Sequence, residues 1–246
     1  MKIPSLIILF FTINFVSAQD FEGVIRYGVT IEPIEDLVES DQRMEDIKKI
    51  KRKKESDSAL VAYVKNDKIL KFLYKPLSIN IYERNTETIY TIEKNDDHIG
   101  KRKLTNRARP DRKKPVITAG DTIANINNFS CKTIVFDYGY YTITAYYNED
   151  PKYKGMGQVI FFDSLTDYDI KNSLLKDALI VRYVQKYGDV NTFVDLLDLK
   201  EVEVDTSIFT IPKYKKSREY DYDDDDIYQF YKIADKTYKY PDFSKL

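Results

Sequence analysis

Asn125-Ile-Asn-Asn-Phe-Ser-Cys-Lys-Thr-Ile-Val-Phe136, the turn Asp137-Tyr-Gly139, and then Tyr140-Tyr-Thr-Ile-Thr-Ala-Tyr-Tyr147 form the stretch on which the fold turns. Two runs rich in β-branched and aromatic residues flank a glycine-containing turn, which predicts an antiparallel hairpin. After Asn148-Glu149-Asp150-Pro151 and the Gly155/Gly157 pair, the pattern resumes as Gln158-Val-Ile-Phe161. A three-stranded meander is therefore expected. In its second strand Tyr141, Ile143, Ala145 and Tyr147 share one face, and Tyr140, Thr142, Thr144 and Tyr146 the other.

Further strands are expected on both sides of it. Phe21 to Ile31 alternates and is β-rich. Ala59 to Lys65, Ile69 to Tyr74, Ser78 to Glu83 and Thr88 to Glu93 are short and separated by Asn66-Asp67, Lys75-Pro76 and Asn85-Thr86. Downstream, Ala178 to Tyr187 reads as a strand, Gly188-Asp189 as a turn and Asn191 to Glu203 as its partner. Strands at this spacing predict a mainly β (α+β) protein: a curled antiparallel sheet or half-barrel with one or two helices against it.

Two segments depart from the strand pattern. From Pro33 to about Glu55, apolar residues fall at helical spacing (Ile34, Leu37, Val38, Met44, Ile47, Ile50). Glu35 and Asp36 at its start and Lys51 to Lys54 at its end complement a helix dipole. After Ile208-Phe-Thr-Ile-Pro212 the β domain is expected to end. Lys213 to Leu246 holds seven of the 21 tyrosines and the run Asp223 to Asp226, so it is expected to be a tail, either disordered or laid over the domain.

Met1 to Ala18 has the form of a secretory leader: Lys2, an apolar run from Leu6 to Val16, and Val16-Ser-Ala18 as cleavage site. Cleavage after Ala18 leaves Gln19 first and predicts a periplasmic or secreted location. The apolar run is too short to span a bilayer comfortably.

A net charge of −1 gives no case for bulk nucleic-acid affinity. One cysteine excludes an internal disulfide, and with one histidine a Cys/His metal site lacks ligands. Cys131 and His98 are the only thiol and imidazole, and His98 lies in a turn-like Asn-Asp-Asp-His, so a nucleophile–base pair is not expected. No Gly-x-Ser-x-Gly, His-Glu-x-x-His, phosphate loop or dinucleotide fingerprint occurs. Asp221 to Lys232 fails as a calcium loop, because it lacks the sixth-position glycine and ends on lysine. No catalytic residue, metal or cofactor is expected.

Two groups are candidates for binding. Tyr141, Ile143, Tyr147, Leu179, Val181 and Tyr183 offer apolar rows with a few hydroxyls, suited to lining a cavity for a lipid-like ligand. The same rows also suit plain core. Lys101, Arg102, Lys103, Arg107, Arg109, Arg112, Lys113 and Lys114 form a basic loop with a single acid, Asp111. It reads either as a contact for an anionic surface, including peripheral membrane contact, or as a solvated loop, and it is able to pair with the acidic tail.

Four segments resemble GLPGLI, a family of secreted Bacteroidetes proteins. Phe21-Glu-Gly-Val-Ile-Arg-Tyr27 follows the leader. Ile126-Asn-Asn-Phe-Ser-Cys-Lys132 is similar to the family's Ile-x-Gly-Tyr-x-Cys-Lys, Thr144-Ala-Tyr-Tyr-Asn148 to its Ala-Trp-Tyr-Thr, and Ser207 to Pro212 to its closing Phe-x-Ile-Pro. The naming motif is absent: Leu174 to Ile180 occupies its place without Gly or Pro, and Asn128 stands where the family has Gly. The resemblance covers residues 20 to 212. It implies a fold like that of the periplasmic lipoprotein carriers, a curled sheet around an apolar cavity, and it implies no catalytic residues. The expected function is non-enzymatic: binding of a lipid-like or apolar ligand. The alternative is an envelope structural or interaction protein that docks a partner through sheet edge, basic loop and tail.

Overall fold

β1 (Gly23–Pro33) alternates Ile25 and Tyr27, both fully buried, with half-buried Val24 and exposed Arg26. A strand needing cover on one face and only partial cover on the other suits the middle of a sheet. The computed structural model describes residues 21–34, 42–49, 59–73, 77–103, 114–157, 159, 173–216 and 229–243. In it β1 pairs antiparallel with β2 (Ala59–Lys65) on one side and with β11 (Val190–Glu201) on the other. From β2 the chain steps outward through β3 (Lys68–Leu73), β4 (Ser78–Glu83), β5 (Thr88–Glu93) and β6 (His98–Lys103). It crosses to the far edge as β7 (Val116–Ile126). It then returns through β8 (Phe129–Asp137), β9 (Tyr141–Asn148) and β10 (Leu179–Tyr187) to β11. Last, β13 (Gln229–Ile233) adds to β6, and β12 (Tyr214–Lys216) adds to β13. Among the described residues the result is one antiparallel sheet of thirteen strands that is not closed into a barrel.

The connection lengths require this sheet to curl. Ten inter-strand spacings separate β6 from β7 in the strand order, which in a flat sheet is about 48 Å. The thirteen residue steps from Lys103 to Val116 reach at most about 43–47 Å. Curl is visible directly at the β7–β8 turn, where the Asn127 side-chain amide donates to the Leu196 carbonyl at 2.7 Å, although β9 and β10 lie between β8 and β11 in the ladder. Asn127 and Asn128 both take left-handed φ angles, +49° and +65°. Asparagine, like glycine, tolerates that region, and a two-residue hairpin of this twist demands it.

Among the described residues the core falls into three apolar clusters. The central one joins Ile25, Tyr27, Ala62, Val64, Ile69, Tyr82 and Ile89 to Leu179, Val181 and Leu196, and to Met156 and Val159 between β9 and β10. A second lies on the returning meander, with Ile134, Phe136, Ile143, Ala145 and Tyr147 under Leu175 and Ala178. The third occupies the opposite face of the β2–β6 meander, from Leu70, Phe72, Ile79 and Ile81 to Ile99. Val204, Ile208 and Phe209 cover it together with Tyr238, Tyr240 and Phe243. The segment after Pro212 thus supplies two strands and part of the cover over this third cluster. The acidic run Asp223 to Asp226 lies outside the described residues.

Several sequence expectations shift. β1 runs on to Pro33, so no helix opens there. Pairing with β2 stops at Gly28, and only β11 accompanies β1 as far as Pro33. A residue without an N–H is tolerated where one side of the strand has no ladder. Helix is described at residues 42–49, held by buried Ile47 and by the Arg43–Asp189 ion pair at 2.7 Å; the remainder of the expected helix, and the leader Met1 to Ala18, lie outside the described residues. The strand beside β9 is β10, not Gln158 to Phe161, of which only Val159 is described, with helical backbone. Gly157 precedes it in a turn so close to Leu175 that a Cβ there would lie 1.7 Å from the Leu175 carbonyl.

Candidate functional site

The six residues expected to line a cavity are brought together in two groups. Tyr141, Ile143, Tyr147 and Tyr183 belong to the cluster on the returning meander, and Leu179 and Val181 to the central one. None is more than 8 % exposed. A β-bulge between Ile180 and Arg182 divides the groups. At this bulge the Tyr27 hydroxyl donates to the Ile180 carbonyl at 2.7 Å.

The basic loop is described only at its ends. Lys101 is drawn into the sheet: its ammonium donates to the Tyr214 hydroxyl at 3.0 Å and sits over the Tyr90 and Tyr214 rings at 5.6 and 5.5 Å. Arg102 is buried on the central-cluster face, directly opposite Ile89. Lys103 and Lys114 are exposed. Arg107, Arg109, Arg112 and Lys113 lie outside the described residues.

Cys131 and His98 sit on β8 and β6, nine positions apart in the strand order. Burial pushes the Cys131 thiol up from its ordinary pKa, which keeps it protonated and unreactive. The imidazole Nδ1 of His98 lies 3.0 Å from Asp96 and 2.7 Å from Asp97, and the Lys232 ammonium lies 3.5 Å from Asp97. With a lysine already beside Asp97, this exposed cluster is poorly suited to a metal ion.

A cleft of about 550 Å³ opens where the chain leaves β11, lined by Phe21, Glu22, Lys65, Lys152, Glu201, Val202 and Glu203. Its charges are largely matched. Lys65 pairs with Glu22 at 2.9 Å and donates to the Val204 carbonyl at 2.6 Å, while the Val204 N–H donates to Glu22 at 2.8 Å. The Val204 N–H and then Lys65 hold the Glu22 carboxyl below the usual carboxylate range. Lys152 pairs with Glu201. These contacts pin the exit of β11 to β1 and β2.

The two sheet edges differ sharply. β12 is three residues long and carries Lys215 and Lys216, the short, lysine-bearing form that discourages strand addition. β7 is eleven residues long, and from Val116 to Ile126 contains no proline, lysine or arginine and one charge, Asp121. Val116, Ile117 and Ile123 are 67 %, 51 % and 65 % exposed. Val116 and Ile117 point to opposite faces, so both faces of this strand are open at its start. A break in register between Gly120 and Ala124 leaves Val116–Gly120 as the regular outer segment. Sequence reading passed over β7, because a strand exposed on both faces carries no alternation.

No protein-family model matches the chain, and no curated protein matches it in sequence. Among solved structures it is similar to PNGF-II in the C2 space group, with a TM-score of 0.43 and 14 % identity over 74 % of this chain and 28 % of that one. It is also similar to PNGF-II in the P21 space group, with 0.45 and 14 % over 77 % and 30 %. The chain therefore spans less than a third of the length of those chains. Among the described residues no helix is long and apolar enough to cross a membrane.

Proposed function

We propose that this is a non-enzymatic secreted or periplasmic protein, a divergent relative of the GLPGLI family, that docks a polypeptide partner by strand addition at β7. The observation that carries the reading is the contrast between the edges: one short and lysine-bearing, the other long, almost uncharged and apolar. Main-chain groups at an open edge supply affinity, and alternate side-chain positions supply specificity. The test uses a synthetic peptide of the β8 sequence Phe129–Asp137, which already pairs antiparallel with β7 from its inner side. Added to the protein, it is expected to slow hydrogen exchange at alternate amides of Val116–Gly120, and the effect is expected to vanish in Ile117→Lys. Unchanged exchange at saturating peptide would overturn the reading. N-terminal sequencing of exported protein checks the leader separately, with Gln19 the expected first residue.

Binding of a lipid-like ligand is the second reading. It is favoured by the curl of the sheet, whose inner face carries an apolar row that includes Val64, Ile69 and Ile89. Native mass spectrometry of protein extracted from its source tests it: a co-purifying lipid is expected, and its absence counts against carriage.

A further inference from the structure

We infer that the partner taken up at β7 is a second copy of this chain, paired antiparallel about a twofold axis centred on Thr118; this rests on the strand-addition reading above. The argument begins with symmetry. A twofold axis perpendicular to the sheet keeps every residue on its own face, so opposed residues must share a face and the register must centre on a residue rather than between two. The regular segment is Val116-Ile-Thr-Ala-Gly120, and its middle residue is Thr118.

That register suits the sequence. Val116 of one copy lies opposite Gly120 of the other, Ile117 opposite Ala119, and Thr118 opposite itself. Each large side chain meets a small one, and the self-opposed position holds threonine, a favourable cross-strand pair. Centring on Ile117 or Ala119 would use only part of the segment, and centring on Ile117 would bring two isoleucines together.

Charge agrees with shape. No charged residue lies within Val116–Gly120, so no like charges oppose one another. On the inner side Ile117 and Ala119 stand opposite Phe136 and Ile134 of β8. The apolar face of the returning meander would then run unbroken from one copy into the next. The contact is small, and interfaces of this size are weak. The dimer is therefore expected to form at micromolar to submillimolar concentration.

The experiment is sedimentation velocity over a concentration series on the chain without residues 1–18, combined with crosslinking through one introduced cysteine in a Cys131→Ala background. Wild type is expected to shift from monomer to dimer, and Ile117→Lys, at a half-exposed position, to raise the dissociation constant at least tenfold. Thr118→Cys is expected to form a disulfide-linked dimer on mild oxidation. Self-opposed residues in an antiparallel pair lie about 4.5–5.5 Å apart between Cα atoms, within the range a disulfide accepts. Ile123→Cys, at a comparably exposed position on the same strand, is expected to crosslink far more slowly. A monomer at every concentration, a dimer that survives Ile117→Lys, or equal crosslinking of the two cysteine variants would overturn the inference. A monomer in which the β8 peptide still protects Val116–Gly120 would overturn self-pairing while leaving strand addition standing.

Discussion

Tyr27→Phe is the sharpest test of how the two halves of the sheet are joined. Tyr27 is fully buried in β1, and its hydroxyl donates to the Ile180 carbonyl of β10, with β11 between the two strands. Ile180 lies beside the bulge that interrupts the β9–β10 ladder, so the hydroxyl serves a carbonyl where regular pairing fails. Removing one oxygen deletes the bond and leaves a buried acceptor behind, a loss of about 1–3 kcal/mol. With a urea slope of about 3 kcal/mol/M, the unfolding midpoint is expected to fall by roughly 0.3–1 M. Tyr27→Ala should cost more, about 3–5 kcal/mol, because a cavity is added. The pH dependence supplies an independent check. Burial pushes the Tyr27 pKa far above its ordinary value, whereas the unfolded chain releases this proton near pH 10. A raised folded pKa means that the contribution is complete below pH 10 and is lost as pH rises above it. The gap between wild type and Tyr27→Phe should therefore narrow above pH 10. A variant within about 0.3 kcal/mol of wild type, with a gap that ignores pH, would refute the reasoning; differences that small belong to neutral surface changes.

Three other perturbations probe the remaining joints. Gly23→Ala would put a Cβ 2.0 Å from the Lys200 carbonyl, so strand β1 must shift against β11; a loss of at least about 2 kcal/mol is expected by thermal denaturation. Deleting residues 234–246 removes Tyr238, Tyr240 and Phe243, the last with its ring 4.9 Å from Phe72 and 6.0 Å from Tyr63. A loss of about 3–5 kcal/mol is expected, together with new binding of a hydrophobic dye; unchanged dye binding would contradict the described packing. Glu22 has a depressed folded pKa, so its contribution is present above the unfolded carboxylate pKa and is lost as pH falls through the folded one. Glu22→Gln is expected to flatten the acid limb of the stability curve below about pH 4.5 and to leave the alkaline limb unchanged.

Strands with one buried face were legible in the sequence. Tyr141, Ile143, Ala145 and Tyr147 alternate because β9 buries that face, and Ala178 to Tyr187 read correctly as the strand that became β10. The physics that hid the rest differs from place to place. At Pro33 the expected helix start was overridden by a one-sided ladder that tolerates a missing donor. Gln158 to Phe161 had strand composition, but the close approach of Gly157 to Leu175 sets a turn at its threshold, and no local signal announces a contact across eighteen residues. β13 was obscured because its pattern is half-exposed Phe230, Tyr231 and Ile233 between polar neighbours, which resembles a tail until β6 is there to receive it. The candidate binding rows were visible as apolar, yet periodicity cannot separate a cavity wall from packed core. That distinction rests on which elements arrive from far along the chain. The β7 edge was the least legible feature, since exposure on both faces erases the pattern that identifies strands.

The openness of the sheet follows from the mismatch of its ends. To close, β12 would have to pair with β7, and three residues cannot satisfy eleven. Any closure would leave most of the β7 backbone groups facing solvent and would bring Lys215 and Lys216 against an apolar strand. Curl therefore stops short of a barrel, and among the described residues the β7 backbone groups that face away from β8 have no ladder partner. Backbone groups of that kind must be met by water or by another strand, and water does nothing for Val116 and Ile117 beside them. Under the strand-addition proposal, an added strand would meet both requirements at once at Val116–Gly120.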